Sequence, residues 1–352
     1  MDKIESRKDE HVRIALEKNV SSIHNYWDDI ELSHNALPEI NKDDIDTSTI
    51  LFDKNLRVPI VIAAMTGGYN LAKEINERLA GAASHFQIAM GVGSQRAALE
   101  NSKLRETYGV IKEFDIPLRI ANIGASQIVL WGHKKTISYI EDIISMIDAH
   151  AVAICLNFLQ EVVQPEGEPH AKGCLHQIQL LADEIDTPVI VKESGAGISY
   201  DVALRLSKTN IAGIDVGGKG GTSFAAIEHY RAKMHSDYLH ARSGETFWNW
   251  GISTPQSIVN AAKATKMKFP LIATGGIRHG LDVAKALSLG AQCAGIAQVL
   301  LKPATKSKQA TILEIETIIK ELRTAMFLMG IDSVGKMKEV TYGYRKRDES
   351  IL

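Results

Sequence analysis

Eight short apolar runs, separated by amphipathic segments, begin after residue 57 and constrain the fold more than any other feature of the chain. Each run is rich in β-branched residues, and most end in glycine or a polar residue: VPIVIAAM, QIAMGVG, PLRIANIG, AVAICLN, PVIVKES, AGIDVGG, PLIATGG and CAGIAQ. Segments such as NLAKEINERLAGAASHF, which lie between the runs, have the periodicity of helices. Strands that alternate with helices predict βα units around a parallel sheet. Eight units close a (β/α)8 TIM barrel, although a doubly wound sheet has the same alternation.

The alternation divides the chain into three parts. Residues 1–56 are a polar N-terminal extension, in which RKDEHVRIALEKN predicts a helix. Residues 57–330 would form the α/β barrel and residues 331–352 a C-terminal tail. The connection from Gly217 to Thr254 is long, and loops of this length in compact domains often cover active sites.

Composition excludes several classes of protein. Lysine and arginine number 40 against 42 acids, a net charge of −2, so the basic excess of a nucleic-acid-binding protein is missing. The three cysteines (Cys155, Cys174 and Cys293) form no CxxC pair, which argues against disulfides or a zinc site and favours a reducing compartment. The charged N-terminus has no apolar signal region, and no run approaches 18 apolar residues. We therefore expect a cytoplasmic protein with neither a membrane nor a nucleic-acid partner.

Polar residues stand where the apolar runs end. In a parallel barrel, the active site forms at the carboxyl ends of the strands, so residues from seven runs would converge there. Any one of them is explained equally well as a strand cap or a turn, but the whole set predicts one site. The set comprises Thr66, Ser94, Asn122, Asn157, Gln160, Glu161, Lys192, Thr222 and the pair Gly275–Gly276.

A phosphate site is predicted at TGGIRHGLDVAKAL and AGIAQ. There a glycine turn leads into a helix, so that backbone N–H groups and the positive helix end face one point. The position after the seventh and eighth runs is the usual phosphate position of such barrels. GGKGGT at 217–222 adds a further glycine turn. Glycine pairs also form turns without any ligand, but the barrel context favours phosphate.

Charged residues point to three further ligands. Lys192 ends the apolar run VIVK, where it would either reach outward to solvent or hold a buried negative charge. A reduced flavin carries such a charge, and the small residues of AAMTGG would accept its flat ring, although a sugar phosphate would satisfy many of these features. Arg7, Lys8, His11 and Arg96 are candidates for a second anion. Glu161 could bind Mg²⁺ through one carboxylate, the alternative being a solvated acidic loop.

The motifs RKDEH, MTGG, GVGSQR, ANIG, QEVVQPEGE, VKESGAGIS, GGKGGTSF and TGGIR resemble, over nearly the whole chain, the type 2, FMN-dependent isopentenyl diphosphate isomerases. GVGSQR and QEVVQPEGE are the specific parts. The resemblance implies a (β/α)8 barrel that interconverts isopentenyl and dimethylallyl diphosphate in isoprenoid biosynthesis without net redox change. It also implies FMN reduced by NADPH or another donor, Mg²⁺, and a homo-oligomer, commonly a tetramer or octamer.

Carried over residue by residue, the resemblance assigns roles. FMN would be held by Ala64, Met65, Thr66, Ser94, Asn122, Lys192 and Thr222, and its phosphate region by Gly275, Gly276, Ile277, Ala297 and Gln298. The substrate would be held by Arg7, Lys8, Ser94, Gln95, Arg96, Asn157 and Gln160, and Mg²⁺ by Glu161. We predict Gln160, Lys192 and His11 as the catalytic side chains. Cys155 departs from the family, which usually has HLN where this chain has CLN.

The reaction is an allylic proton shift. Because Asn and Gln are poor acids and bases, we interpret the reduced flavin, through N5 or N1, as the proton shuttle, with Lys192 stabilising the anionic ring. One alternative is an FMN-dependent barrel oxidoreductase of the 2-hydroxy-acid oxidase or dihydroorotate dehydrogenase type. The former should have a His–Arg couple where this chain has DVGGKGGTSF. Inosine monophosphate dehydrogenase would need a cysteine in a glycine-rich loop, and a non-enzymatic flavin-binding role is the third class.

Overall fold

A computed structural model describes residues 3–345 of the chain. The predicted N-terminal helix is confirmed, and it begins earlier than its motif. Three short strands follow it in the extension, together with 3₁₀ turns at Tyr26–Asp29 and Lys42–Asp44. These elements are α1 Lys3–Glu17, β1 Ile30–Leu32, β2 Thr49–Leu51 and β3 Lys54–Leu56.

Every one of the eight apolar runs forms a strand of a closed parallel barrel. The strands are β4 Ile60–Ile62, β5 Ala89–Gly91, β6 Arg119–Gly124, β7 Ala151–Cys155, β8 Val189–Lys192, β9 Gly213–Asp215, β10 Leu271–Thr274 and β11 Cys293–Ile296. They neighbour one another in chain order, and β11 closes the barrel on β4 with Ala294 opposite Ile60. The closure confirms the (β/α)8 TIM barrel and excludes the doubly wound sheet.

Helices surround the barrel on the outside. They are α2 Ala72–Phe86, α3 Arg96–Glu100, α4 Glu106–Gly109, α5 Ala125–Leu130, α6 His133–Ile147, α7 Phe158–Val163, α8 Cys174–Glu184, α9 Tyr200–Leu206, α10 Phe224–Met234, α11 Tyr238–Thr246, α12 Thr254–Thr265, α13 Gly280–Ser288, α14 Gln298–Lys306 and α15 Lys308–Met329. The connection 217–254 is thus largely helical rather than an open loop. Ser223 and Asp237 start its two helices, because each side chain accepts a hydrogen bond from the first turn. No helix within residues 3–345 is long and apolar enough to cross a membrane.

The described part of the C-terminal tail returns to the N-terminal extension. After α15 ends at Gly330, which has a φ of 71° in the left-handed region, the chain forms a 3₁₀ turn and the strand β12 Tyr342–Tyr344. This strand pairs antiparallel with β1, with Tyr344 opposite Ile30.

The β2–β3 hairpin closes the amino end of the barrel. Leu51 and Leu56 are each 1% exposed and pack with the inward-facing Val61, Ile120 and Ile190. Burial of a leucine stabilises the fold by about 2 kcal/mol, so the hairpin contributes to the barrel core as well as covering it. The carboxyl end of the barrel is left for a site.

Candidate active site

Two contiguous cavities open at the carboxyl ends of the strands. The first, of about 390 Å³, reaches the glycine turns at 217–222 and 275–276, and we call it the glycine-side cavity. The second, of about 240 Å³, lies under α1 and beside α7, and we call it the helix-side cavity. Both are lined by Ala64, Lys192, Ser194, Thr222, Phe224, Ala297 and Gln298.

Nearly all of the predicted site residues meet at these two cavities. Those of the helix-side cavity come from α1 and from the ends of β4 to β8, whereas the glycine-side cavity receives those that follow β9, β10 and β11. The helix-side residues are Arg7, Lys8, His11, Ala64, Met65, Thr66, Ser94, Arg96, Asn122, Asn157, Gln160, Glu161 and Lys192. The glycine-side residues are Thr222, Gly275, Gly276, Ile277, Ala297 and Gln298.

Gln95 is the exception. Its side chain is fully buried outside both cavities, where its amide donates to the carbonyl of Ile143 at 2.9 Å and accepts from the backbone N–H of Asn122 at 3.0 Å. Its own N–H donates to the carbonyl of Asn122 at 2.9 Å. Because both ends of the amide are occupied by backbone, the prediction that the Gln95 side chain binds the diphosphate does not match its position. It connects the ends of β5 and β6 instead.

The glycine turns approach each other too closely for any side chain. A Cβ atom on Gly275, whose φ is 123°, would lie 2.2 Å from the carbonyl oxygen of Gly218. One on Gly221 would lie 2.6 Å from the backbone nitrogen of Gly276. Helix α14 starts beside these turns, and no side chain caps it at Ala297, so its first N–H groups are available to a ligand. Bare amides and a helix start at one point suit a phosphate.

The N-terminal extension contacts these glycine turns. The indole of Trp27 donates to the carbonyl of Gly275 at 2.9 Å, and the amide of Asn25 donates to the carbonyl of Gly276 at 2.8 Å. The backbone N–H of Ser22 donates to Gly221 at 2.8 Å. Sequence reasoning missed these residues, because SSIHNYW contains no motif that points to the barrel.

Lys192 stands between the two cavities as a buried cation. Its ammonium nitrogen lies 3.0 Å from a carboxylate oxygen of Asp215, and both side chains are 9% exposed. Burial alone would lower the pKa of Lys192, but the opposing charge of Asp215, with smaller contributions from Cys155 and Glu193, raises it above its ordinary value. Of the two alternatives that the sequence left open for Lys192, the structure shows a lysine that holds a buried negative charge, and that charge is Asp215 of the same chain.

Cations converge on one side of the helix-side cavity. Lys8 donates to the carbonyl of Ser94 at 2.7 Å and to the hydroxyl of Tyr108 at 3.0 Å. Enclosure of its ammonium group, followed by repulsion from Arg7, lowers the pKa of Lys8 to about 7. Arg96 lies beyond Ser94, and its guanidinium contacts Glu168. The three cations would attract an anion with more than one charge.

A buried ionic network fixes α1 on the barrel mouth. His11 Nε2 lies 2.7 Å from a carboxylate oxygen of Glu228, which is fully buried. Arg231 donates to Glu10 at 2.8 Å, to Glu166 at 3.0 Å and to Glu228 at 3.1 Å. Burial would raise the pKa of Glu228, but His11 and Arg231 hold it below its usual value. The network joins α1, α10 and the loop after α7, and no sequence motif indicated it.

Residues 161–168, at the end of α7 and in the loop after it, include three acids, and each acid has a different environment. Glu166 pairs with Arg231 and Glu168 with Arg96, whereas Glu161 faces the helix-side cavity and is 9% exposed. The carboxylate of Glu161 accepts from the Asn157 amide and from the backbone N–H of Glu168, both at 2.9 Å. A carboxylate has about four lone-pair positions, so Glu161 retains room for a cation.

No group of three or more His, Cys, Asp or Glu residues in the described part of the chain is arranged to hold a metal. A Mg²⁺ ion at Glu161 would therefore need water or substrate oxygens for its other ligands, which is how this ion is commonly bound.

Further cavity residues were missed by sequence reasoning. Gln127 and Tyr69 line the helix-side cavity, and Thr274 lines the glycine-side cavity. The Tyr69 and Thr274 hydroxyls and the side-chain amide oxygen Oδ1 of Asn122 are buried and have no hydrogen-bond partner within residues 3–345. Unsatisfied buried polar atoms in a cavity wall indicate a missing ligand. Cys155 also lines the cavity, and burial raises the pKa of its thiol to about 11, so this position is uncharged.

Comparisons with known proteins agree over most of the chain. The model of the FMN-dependent dehydrogenase family matches residues 156–342. The isopentenyl-diphosphate delta-isomerase of Thermoplasma volcanium is 47% identical over 340 residues, which cover 96% of this chain and 95% of that protein. The protein of the same name from Methanosarcina mazei is 41% identical over 331 residues, covering 93% and 88%.

Solved structures resemble the chain in fold. A mandelate oxidase with (S)-2-phenylpropionate has a TM-score of 0.67 at 16% identity and covers 96% of this chain and 97% of that one. A mandelate oxidase with benzoyl-formic acid has a TM-score of 0.63 at 16% identity and covers 91% and 88%. At these identities the likeness extends to the barrel only.

Proposed function

This chain belongs to the isopentenyl-diphosphate delta-isomerase family, and we propose that it interconverts isopentenyl and dimethylallyl diphosphate with reduced FMN and Mg²⁺. The observation that carries the proposal is the meeting of a phosphate cradle, a buried lysine and a second cationic cluster around two joined cavities. One cavity suits a flavin mononucleotide and the other a small diphosphate.

The glycine-side cavity fits FMN. The FMN phosphate would be bound by the backbone amides of Gly275, Gly276 and Gln298. Glycine suits these turns because an added Cβ atom would occupy the space between them. From the adjoining helix-side cavity, Asn122 would offer its unpartnered side-chain oxygen Oδ1 to a ring N–H. When bound, reduced FMN would supply the acid–base chemistry of the allylic proton shift. Lys192 would place a positive charge beside the ring.

The helix-side cavity fits the substrate. Arg7, Lys8 and Arg96 would bind the diphosphate through charge-assisted hydrogen bonds. Arg96 contacts Glu168 and donates to Glu100 at 2.7 Å, so diphosphate binding would replace a carboxylate partner of Arg96 by the substrate. This anchoring would orient the uncharged isoprenoid portion, which has no polar group of its own for the protein to bind.

Two side chains would act near the reacting carbons. His11 lines the helix-side cavity, and the contact of its Nε2 with Glu228 at 2.7 Å fixes the orientation of the ring. The Gln160 carbonyl accepts from Asn157 at 3.4 Å, which leaves its NH₂ group to donate to a substrate. We propose Gln160 and His11, with Lys192, as the catalytic side chains.

Glu161 would bind Mg²⁺ together with diphosphate and water oxygens, because its carboxylate keeps lone pairs that Asn157 and Glu168 do not occupy. NADPH is the proposed reductant, needed once to reduce the flavin rather than at each turnover. The three buried free cysteines suit the reducing cytoplasm, where we propose the enzyme acts.

We also propose a homo-oligomer, a tetramer or octamer. Large apolar side chains are exposed beside the α10–α11 pair: Ile23 (88%), Leu239 (77%), Tyr238 (74%) and Trp250 (61%). Exposed apolar side chains of this size support contact with other subunits. Light scattering during gel filtration would measure the subunit number.

An FMN-dependent oxidoreductase is the second candidate, favoured by the description of the matching family model. His229 and Arg231 come after the lysine strand, but neither lines the glycine-side or the helix-side cavity. His229 bonds to the carbonyl of Ala241 at 2.7 Å, and Arg231 is held by three carboxylates. A hydroxy-acid oxidase would need such a pair facing its substrate.

One anaerobic experiment separates the two functions. The FMN-loaded enzyme is reduced with dithionite, given isopentenyl diphosphate and Mg²⁺, and the product is counted per flavin. We expect many products per flavin, because isomerisation consumes no electrons. One product per flavin, or one NADPH consumed per product, would overturn the isomerase proposal.

A further inference from the structure

Asp215 lies behind Lys192 and has no role among the predicted site residues. The two residues stand opposite each other in the parallel register of β8 and β9, so their side chains project from the same face of the sheet. The carboxylate oxygen of Asp215 is 3.0 Å from the ammonium nitrogen of Lys192.

The ammonium group of Lys192 is an oriented donor. It has three N–H bonds, and within residues 3–345 two are taken: one by Asp215, the other by the carbonyl of Glu193 at 3.0 Å. Lys192 lines both cavities, so the third N–H is the one available to a ligand there. Asp215 and the Glu193 carbonyl thereby fix the direction of this remaining N–H.

We propose that Asp215 is a positioning residue, which holds Lys192 charged and directs its free N–H at the flavin. The inference rests on the proposed function, since it assumes that FMN occupies the glycine-side cavity. It goes beyond that function by assigning the charge state of Lys192 to a residue that is not itself expected to touch flavin or substrate.

Three ionisable groups face Lys192. Asp215 comes from β9, Cys155 stands opposite Lys192 on β7, and Glu193 follows it in the chain. Burial raises the pKa of Cys155 to about 11 and that of Glu193 to about 7. The Cys155 thiol is therefore neutral at ordinary pH, and Glu193 is partly protonated near neutrality. Asp215 is the group left to oppose the effect of burial, which otherwise favours neutral lysine.

The test compares Asp215→Asn, Lys192→Ala, the double variant and wild type, each loaded with FMN. Asp142→Asn is the matched control, because it breaks a carboxylate–arginine pair with Arg105 outside both cavities. The first readout is the spectrum of the enzyme-bound reduced flavin as a function of pH, which does not depend on turnover. The second is kcat of the dithionite-reduced enzyme across the same pH range.

In Asp215→Asn, we expect the spectral transition of the reduced flavin to move relative to wild type. We also expect kcat to fall about tenfold at the alkaline end, because the carboxylate that raises the pKa of Lys192 is gone. At the acidic end, where Lys192 regains its proton, most of the activity should return. The double variant should be no worse than Lys192→Ala, since Asp215 acts through Lys192.

Two results would overturn the positioning role. One is an Asp215→Asn enzyme with wild-type spectra and pH profile. The other is a double variant in which the two losses add, as they would if Asp215 only supported the fold. FMN content and melting temperature, measured on all variants, report misfolding separately. Failure of wild type itself to isomerise would refute the proposed function, while the spectral comparison would still test the role of Asp215.

Discussion

The indole N–H of Trp27 donates to the carbonyl oxygen of Gly275 at 2.9 Å, across 248 positions of the chain. Trp27 is fully buried, and its own carbonyl accepts from Lys285 at 2.7 Å. The N-terminal extension thus holds the turn that is proposed to bind the FMN phosphate. The extension contributes to both cavities, since α1 also supplies Arg7 and Lys8, two of the three cations of the helix-side cavity.

Trp27→Phe should weaken FMN binding about fivefold. The variant keeps an aromatic side chain, smaller than the indole, and removes one hydrogen bond, worth about 1 kcal/mol, from the turn that is proposed to bind the FMN phosphate. Quenching of flavin fluorescence gives the dissociation constant. Trp131→Phe is the control, because Trp131 packs edge-on against Tyr139 outside the cavities. Equal affinities in the two variants would contradict the role of Trp27.

Glu161→Gln should impair Mg²⁺-dependent turnover far more than FMN binding. The amide keeps the shape but supplies neither the charge nor the same affinity for a hard cation. We expect the Mg²⁺ concentration for half-maximal activity to rise at least about tenfold, as measured by a metal titration of the reduced enzyme. Glu316→Gln, on an exposed face of α15, is the control. A normal Mg²⁺ response would remove Glu161 as the metal ligand.

Arg96→Ala should raise KM for the diphosphate by about tenfold or more, because it removes a charge-assisted hydrogen bond. Steady-state kinetics of the reduced enzyme measure the effect, and FMN affinity should change little. Lys320→Ala, an exposed cation paired with Glu316 on α15, controls for the loss of one positive charge. If KM stays at its wild-type value, Arg96 remains with Glu168 during catalysis.

Lys8 should make diphosphate binding depend on pH. With its pKa lowered to about 7, Lys8 is charged below that pH and neutral above it, so affinity for the anion should fall as pH rises through neutrality. The folded enzyme binds fewer protons than the unfolded chain between about 7 and 10.5, so this group also makes stability rise with pH in that window. Dissociation constants of inorganic diphosphate for wild type and Lys8→Ala, measured across pH, test the first effect. The same slope in both proteins would exclude Lys8 as its source.

Gln95→Leu should lower stability and FMN occupancy while leaving KM for the diphosphate nearly unchanged once FMN is saturating. The variant removes both side-chain hydrogen bonds of Gln95, and the buried N–H of Asn122 loses its Gln95 partner at a cost of about 1–3 kcal/mol. Thermal unfolding and flavin content measure the first effects, and kinetics the last. A large rise in KM at full FMN occupancy would restore Gln95 as a substrate ligand.

The barrel was predictable because each strand is short, continuous and bounded by turn residues. Parallel strands are buried on both faces, so AVAICLN and VIVK appear in the sequence as unbroken apolar runs. The carboxyl-end rule then assembled most of the cavity residues without any distance information.

Contacts between distant segments were not predictable. Arg231 meets Glu10 and Glu166 through folding alone, and nothing local in FAAIEHYRAKM indicates either partner. Helix α10 also lacks a clear polar face, because Glu228, His229 and Arg231 are buried along with its alanines. The weak periodicity explains why the connection looked like a loop. At Gln95 the family motif predicted a residue of the site, but its side chain is buried outside both cavities. The motif alone does not distinguish Gln95 from its neighbours Ser94 and Arg96, which line the helix-side cavity.

The pairing of β1 with β12 has a consequence for synthesis on the ribosome. The segment 20–32 is made early, but its partners lie far along the chain, among them residues 220–223, 275–276 and 342–344. During translation this segment has nothing to dock on until the barrel is nearly complete, since domains assemble from the N-terminus as the chain appears. The pairing of β1 with β12 therefore forms after all eight barrel strands have been synthesised, and the extension is fixed beside the glycine turns only at that late stage.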